Sequence, residues 1–395
     1  MLAPSAKLYN ARARANVRAP SVRAARRHVA ARAAVDTPSA TSPATSSSSS
    51  PSSKRTVVIT GASSGLGLNA ANSLIKNGWH VVCAVRDFAK MEMKATQMNF
   101  PKDSFSVYHC DLASQKSVRA FAEALQVDGV NVDVLICNAA LYLPSGRARW
   151  HPQFTADGFE LSMASNHLGH FKLVHELFPL LKASAEAGRK PRCIILGSVT
   201  GNTNTVAGQV PPKANLGDLS GLAEGAPLAD KSLFDGAKAY KDSKLCNMLT
   251  MRELENRYND SGIIFSSLYP GCIAETGLFR NHTNVFRFLF PLLQKNLTKG
   301  YVSEEEAGER LATIAESEDT AESGQYWAWR GGGDDLVENY NTKDRGTPIK
   351  NQPSTDVQDD AKAKKLFEIS MDLCNISEFG APAPVAAAKS KVSTA

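Results

Sequence analysis

Thr56-Val57-Val58-Ile59-Thr60-Gly61-Ala62-Ser63-Ser64-Gly65-Leu66-Gly67 runs from a β-branched apolar segment straight into a glycine-rich turn. The segment predicts a strand buried on both faces of a parallel sheet. In the turn, Gly61 permits the tight bend, Gly65 lets the backbone approach a pyrophosphate, and Gly67 allows close packing of the helix that follows. Ser63, Ser64 and Leu66 complete a cradle at the helix N-terminus. There, unpaired N–H groups and the positive end of the dipole favour phosphate. A strand, this spacing and then a helix predict dinucleotide binding.

Further short apolar runs recur along the chain. They are His80-Val81-Val82-Cys83-Ala84-Val85, Val132-Asp133-Val134-Leu135-Ile136, Cys193-Ile194-Ile195-Leu196, Ile263-Ile264-Phe265-Ser266-Ser267-Leu268 and Gln325-Tyr326-Trp327-Ala328-Trp329. They alternate with helical patterns, which indicates βαβ units. The fold class is therefore α/β, a doubly wound parallel sheet of the Rossmann-like kind in one domain.

The ends of the strands carry the chemistry. Arg86 and Asp87 stand at the tip of the second strand, where a carboxylate suits the ribose of NAD and an arginine suits the 2′-phosphate of NADP. Arg86 comes first, which favours NADPH, although an arginine there also suits a solvated surface. Asp111-Leu112 follow the third strand and Cys137-Asn138-Ala139-Ala140 the fourth. The small residues Ala139 and Ala140 let the backbone lie against the cofactor. Tyr240-Lys241-Asp242-Ser243-Lys244 places a tyrosine and a lysine on one helix face, with Ser198 upstream. The ammonium is expected to lower the phenol pKa and so prepare Tyr240 to pass a proton.

Composition varies along the chain. Residues 1–53 hold Lys7 and seven arginines but one acid, Asp36, and end in a Ser/Pro/Thr tract. That is the signature of an organelle transit peptide. These residues hold eight of the 45 basic and one of the 39 acidic residues, so the remainder is near neutral and offers no argument for nucleic acid. The reductase domain is expected over 54–376 and a disordered tail over 377–395. The seven cysteines show no CxxC spacing, which excludes the common zinc and redox motifs, and no metal is expected. Cys83, Cys137 and Cys193 read as small buried hydrophobes. His167, His170 and His175 read as structural. Residues 201–236 form a long polar insertion, functional or disordered. Residues 278–297 are dense in Phe and Leu, which suits a lid over an apolar pocket or a helix packed on the core.

The set Gly61, Gly65, Gly67, Asn138-Ala139-Ala140, Asn166, Ser198, Tyr240, Lys244 and Pro270-Gly271 resembles the short-chain dehydrogenase/reductase superfamily. The resemblance implies that Lys244 binds the nicotinamide ribose and tunes Tyr240. It also implies that Asn166 holds a water in a proton relay, and that Ser198 orients the substrate or Tyr240. Gly201 to Thr205, Val210 to Leu219, Asp235 to Lys244, Ser267 to Arg280 and Thr298 to Ser303 are similar to the family of light-dependent protochlorophyllide oxidoreductases. That closer resemblance implies NADPH-dependent, light-driven reduction of the pigment's C17=C18 bond in a chloroplast, either stromal or peripheral on internal membranes. It admits plastid lipids and further copies of the chain as partners. It implies Thr276 as a cofactor contact, and Tyr142, Tyr269, Cys272, Phe279, His282 and Gln294 as pigment contacts. Read as residues alone, Tyr142 and Tyr269 also suit half-buried core aromatics. Cys272 also suits an inert thiol.

Residues 144–153, 283–285 and 291–293 depart from the family's usual pattern. Two other readings stand beside the photoenzyme. One is a dark reductase of carbonyl or retinoid-like substrates. The other is a non-catalytic scaffold that binds pigment and NADPH and orders membranes.

Overall fold

The computed structural model describes residues 54–273, 278, 288–289, 292, 301–329 and 347–381. The expected transit peptide, Thr276, Phe279, His282, Gln294 and most of the 278–297 segment lie outside the described residues. So does the tail from 382. The chain divides after Ser52, and every described residue belongs to the unit from Ser53 onward.

Among the described residues, eight strands form one sheet in the order β3-β2-β1-β4-β5-β6-β7-β8. They are β1 (Thr56–Thr60), β2 (His80–Val85), β3 (Phe105–His109), β4 (Val134–Cys137), β5 (Arg192–Leu196), β6 (Ile264–Leu268), β7 (Gln325–Trp329) and β8 (Pro348–Lys350). β1 to β7 pair parallel, and β8 closes the far edge antiparallel to β7. Among the described residues, seven helices of ten residues or more flank them: α1 (Gly65–Lys76), α2 (Phe88–Gln97), α3 (Gln115–Val127), α4 (Gly169–Glu186), α5 (Gly236–Tyr258), α6 (Glu304–Glu316) and α7 (Asp360–Leu373).

The central strands carry apolar residues on both faces because they serve two cores. Val58, Leu135, Cys193 and Ile195 face one core with Phe121, Phe171 and Leu245 from α3, α4 and α5. Their neighbours Val57, Ile59, Ile136, Ile194 and Leu196 face the other with Leu74 of α1, Met91 of α2 and Leu311 of α6. Period-two alternation between two apolar faces is what a continuous β-branched run encodes. Cys83, Cys137 and Cys193 lie fully buried in these strands, as expected. The expected strand at Val132 begins at Val134. Asp133 instead caps the strand edge, accepting hydrogen bonds from Thr56 N (2.8 Å), Ser184 Oγ (2.7 Å) and Arg189 Nη1 (3.0 Å).

The insertion is ordered. Leu216, Leu219, Leu222 and Ala229 are buried in the α4/α5 core. Lys238 of α5 clamps the insertion by pairing with Asp230 (3.0 Å) and Asp242 (2.6 Å) and donating to the Asn215 carbonyl (2.7 Å). The packed chain also runs past the boundary expected at 376, because an aromatic side chain anchors it. Phe379 is buried, stacks on Tyr258 with ring centroids 5.6 Å apart and meets Phe367 at 5.0 Å. Gly380 N donates to His175 Nδ1 (2.9 Å).

Candidate active site

The strand order reverses between β1 and β4, which opens a crevice at their C-terminal ends. The turns after β1 and β4 leave the sheet there. Gly61 and Gly65 adopt φ of +70° and +56°, a region costly for side-chain-bearing residues. A Cβ on Gly67 would meet Asn138 Nδ2 at 2.5 Å, so the missing side chain is what lets Asn138 reach across. Asn138 Nδ2 donates to Thr60 O (2.8 Å), locking the β4 turn to the β1 turn.

The residues present fit a dinucleotide. Ser64 caps α1 without a side-chain cap bond, and the first turn of α1 carries no acid. The hydroxyl and the leading N–H groups thus face a place suited to phosphate. Ser63 lies in the same turn, half-buried, as does Leu66, which packs on Val302 and Ile273. Arg86 is exposed at the tip of β2, while Asp87 is engaged as the cap of α2, accepting from Lys90 N (3.0 Å). That leaves the arginine as the charge suited to a 2′-phosphate. Asp111 closes its own turn by accepting from Ala113 N (3.1 Å). The Leu112 carbonyl lies where a Cβ on Gly169 would be (2.3 Å), so α4 abuts that turn.

Tyr240 and Lys244 lie on α5, both buried. Asp235 starts that helix by accepting from Ala237 N (2.7 Å) and Lys238 N (3.3 Å). Lys244 Nζ donates to the Leu196 carbonyl (3.0 Å) at the end of β5 and lies 5.9 Å from the Tyr240 ring centroid. Burial pulls the Lys244 ammonium down to about 8. Burial also pushes the Tyr240 phenol above its ordinary value; the hydrogen bond with Ser198 opposes the rise and Tyr142 adds to it. The expectation that Lys244 lowers the phenol pKa is therefore corrected. The ammonium turns to a carbonyl, and desolvation outweighs a charge at that distance.

Ser198 caps the turn Val199–Gly201 by accepting from Thr200 N (3.2 Å), and its hydroxyl pairs with Thr200 Oγ1 (2.9 Å). Asn166 lies in a π-turn, Ala164–Leu168, at the head of α4. Such bulges shift the carbonyl ladder and recur at functional sites. Its side chain is held at both ends: Oδ1 accepts from Leu141 N (2.7 Å), and Nδ2 donates to Leu141 O (2.9 Å) and Ser243 Oγ (3.0 Å).

Tyr142 packs against Tyr240 with centroids 4.6 Å apart. Its loop is fastened to α5 by Arg149, whose Nε and Nη2 donate to Asp235 Oδ2 (3.1 and 3.0 Å). Tyr269 is buried in the core after β6, with its amide donating to Trp327 O (2.9 Å). Cys272 is half-buried and bridges Tyr301 through the backbone. Pro270 and Gly271 are held by Arg310, which donates to Pro270 O (2.7 Å). Sequence reasoning missed Arg310, Thr60 and the role of His170. His170 stands four residues after Asn166 on a helix, and that spacing was the available signal. Among the described residues, no cluster of His, Cys, Asp and Glu could hold a metal.

A parallel sheet of this order, a glycine-rich turn at its switch point, and Tyr240, Lys244, Ser198 and Asn166 gathered beside it define a reductase of the short-chain dehydrogenase class. The family model described as short chain dehydrogenase matches residues 55–211. The fold is shared with the Pseudomonas aeruginosa RhlG/NADP active-site complex (TM-score 0.53, 22% identity, 71% of this chain and 95% of that one). It is also shared with 3-ketoacyl-(acyl-carrier-protein) reductase from Brucella melitensis complexed with NADH (TM-score 0.51, 20% identity, 69% and 96%). Much nearer in sequence is the chloroplastic protochlorophyllide reductase of Chlamydomonas reinhardtii, 53% identical over 82% of this chain and 79% of that one. Chloroplastic protochlorophyllide reductase B of Hordeum vulgare is 50% identical over 87% and 85%. The chain belongs to the protochlorophyllide reductase family.

Proposed function

We propose that this chain reduces the C17=C18 bond of protochlorophyllide in a light-driven, NADPH-dependent step of chlorophyll synthesis, in the chloroplast. The observation that carries the reading is the convergence of Tyr240, Lys244, Ser198 and Asn166 at the switch point, in a chain 53% identical to a protochlorophyllide reductase. NADPH, when bound, supplies the hydride. The turn Gly61–Gly67 and Arg86 hold its phosphates, and Asn138 to Ala140 lie along its nicotinamide half. The raised phenol keeps Tyr240 protonated at neutral pH, ready to donate to C18. Ser198 orients that hydroxyl, and Lys244 holds the ribose. Tyr142, on the Tyr240 ring, and Cys272 border the pigment. Residues 1–53 suit import into the plastid, and the relatives are named chloroplastic. Plastid lipids and further copies of the chain fit this reading as partners.

The test is a flash experiment. Protein, NADPH and protochlorophyllide are mixed in darkness, flashed, and followed by absorbance. Product should form only after light, and Tyr240→Phe should bind both ligands yet lose most turnover. Equal rates in darkness would overturn the photochemical reading in favour of a dark reductase. Tight binding with no turnover would favour a scaffold.

A further inference from the structure

His170 is fully buried between the two cofactor turns and the π-turn that carries Asn166. Its Nδ1 lies 2.9 Å from Asn166 O, and its Nε2 lies 2.9 Å from Thr60 Oγ1. The same Thr60 oxygen accepts from Asn138 N (2.9 Å) and Ala139 N (3.0 Å).

These contacts fix the imidazole hydrogen. A carbonyl only accepts, so Nδ1 carries the hydrogen that meets Asn166 O. An imidazolium would place a third donor on the Thr60 oxygen, whose two lone pairs already face two amides. Nε2 is therefore a bare acceptor, and the Thr60 hydroxyl donates to it at 2.9 Å in preference to the Ile136 carbonyl at 3.4 Å. Burial acts in the same direction, pulling His170 down to about 3.

We propose that His170 is a positioning residue of the cofactor site: as the Nδ1–H tautomer it orients the Thr60 hydroxyl, which in turn holds the Asn138 and Ala139 amides where the nicotinamide half of the dinucleotide lies. The inference rests on the NADPH-binding reading above. It also supplies a connection along which the two halves of the site share one geometry. From the Thr60 turn the path runs through His170 to Asn166, from Asn166 Nδ2 to Ser243 Oγ (3.0 Å), and from Ser243 to the Tyr240 carbonyl (2.7 Å).

The test combines NADPH affinity with a tautomer measurement on the full chain. Thr60→Val removes the hydroxyl at nearly constant volume and leaves two amides short of their acceptor. It should weaken NADPH roughly tenfold or more, as the loss of a buried partner does. Thr60→Ser, which keeps the hydroxyl, should recover most of that loss. His170→Phe should match Thr60→Val, and the double variant should be no worse than either single one, because both act through one hydroxyl. His170→Gln, whose amide oxygen can reach the Nε2 position, should fall between. Imidazole 15N shifts of the NADPH-free protein should show the hydrogen on Nδ1.

Additive losses, or Thr60→Val binding like the original chain, would overturn the proposal, as would a hydrogen on Nε2. If His170→Phe does not fold, the Thr60 pair decides. If the original chain itself fails to bind NADPH, the functional reading fails, and the 15N shifts still decide the tautomer.

Discussion

Lys244 carries a charge in a dry place, and that combination should limit the pH range over which the cation is present. Its ammonium loses the proton near pH 8 rather than in the ordinary lysine range, because burial disfavours the charged form. A lowered base pKa means the cation is present below about 8 and lost above it. kcat/KM for NADPH, which reports the free enzyme, should therefore fall through an apparent pKa near 8. Lys244→Arg keeps its charge throughout, so whatever activity it retains should lack that alkaline limb. An unchanged limb would assign it to another group. Arg86 makes the complementary case at the surface. Arg86→Ala should weaken NADPH at least tenfold while leaving NADH nearly unchanged, since a charge-assisted contact to phosphate is worth about 1.5–3 kcal/mol. Equal losses in titrations with the two cofactors would place Arg86 elsewhere. The spacing of Tyr240 and Lys244 was legible in the sequence because a helix repeats. The direction of the phenol shift was not, because it depends on what buries the pair.

The element that organises the site is α5, and its first turn does two jobs through one carboxylate. Asp235 Oδ1 caps the helix, while Oδ2 receives Arg149 and with it the 142–150 loop. Gly236 allows this closeness, since a Cβ there would meet Leu143 O at 2.2 Å. Asp235→Ser keeps a cap and loses the ion pair, so it should behave like Arg149→Ala. Each should raise the KM for pigment severalfold by loosening Tyr142 against Tyr240, with the Kd for NADPH unmoved. Asp235→Ala should in addition lower stability by about 1 kcal/mol through the lost cap. A parallel change in NADPH affinity would show that the clasp serves the whole site rather than the loop. Part of the loop departs from the family pattern, so its fastening was not readable from resemblance. The pairing of residues 86 positions apart is a matter of how the chain returns on itself.

At the scale of the molecule, the C-terminal segment closes the α4/α5 core. Phe379 fills a ring of Phe171, Phe178, Tyr258 and Phe367. Ending the chain after Ile376 should lower unfolding stability by about 3 kcal/mol, the order expected for emptying a buried phenylalanine site. Ending it after Ala381 should change stability little. Denaturant titration of the two truncations checks this, and equal midpoints would show that Phe379 contributes nothing.

The sequence by itself determined the doubly wound sheet, the glycine turn, and the Tyr240–Lys244 helix. Each is written in local periodicity, which is a property of neighbouring residues. It also carried the resemblance that places the chain in its family. The tertiary structure alone decided that the 201–236 insertion is packed, that β8 closes the sheet edge and that Phe379 belongs to the core. It alone brought Thr60, His170 and Asn166 into one hydrogen-bonded line. These are pairings between residues distant in the chain, where no period operates. They are selected by which buried polar groups and apolar faces must satisfy one another once the sheet has formed.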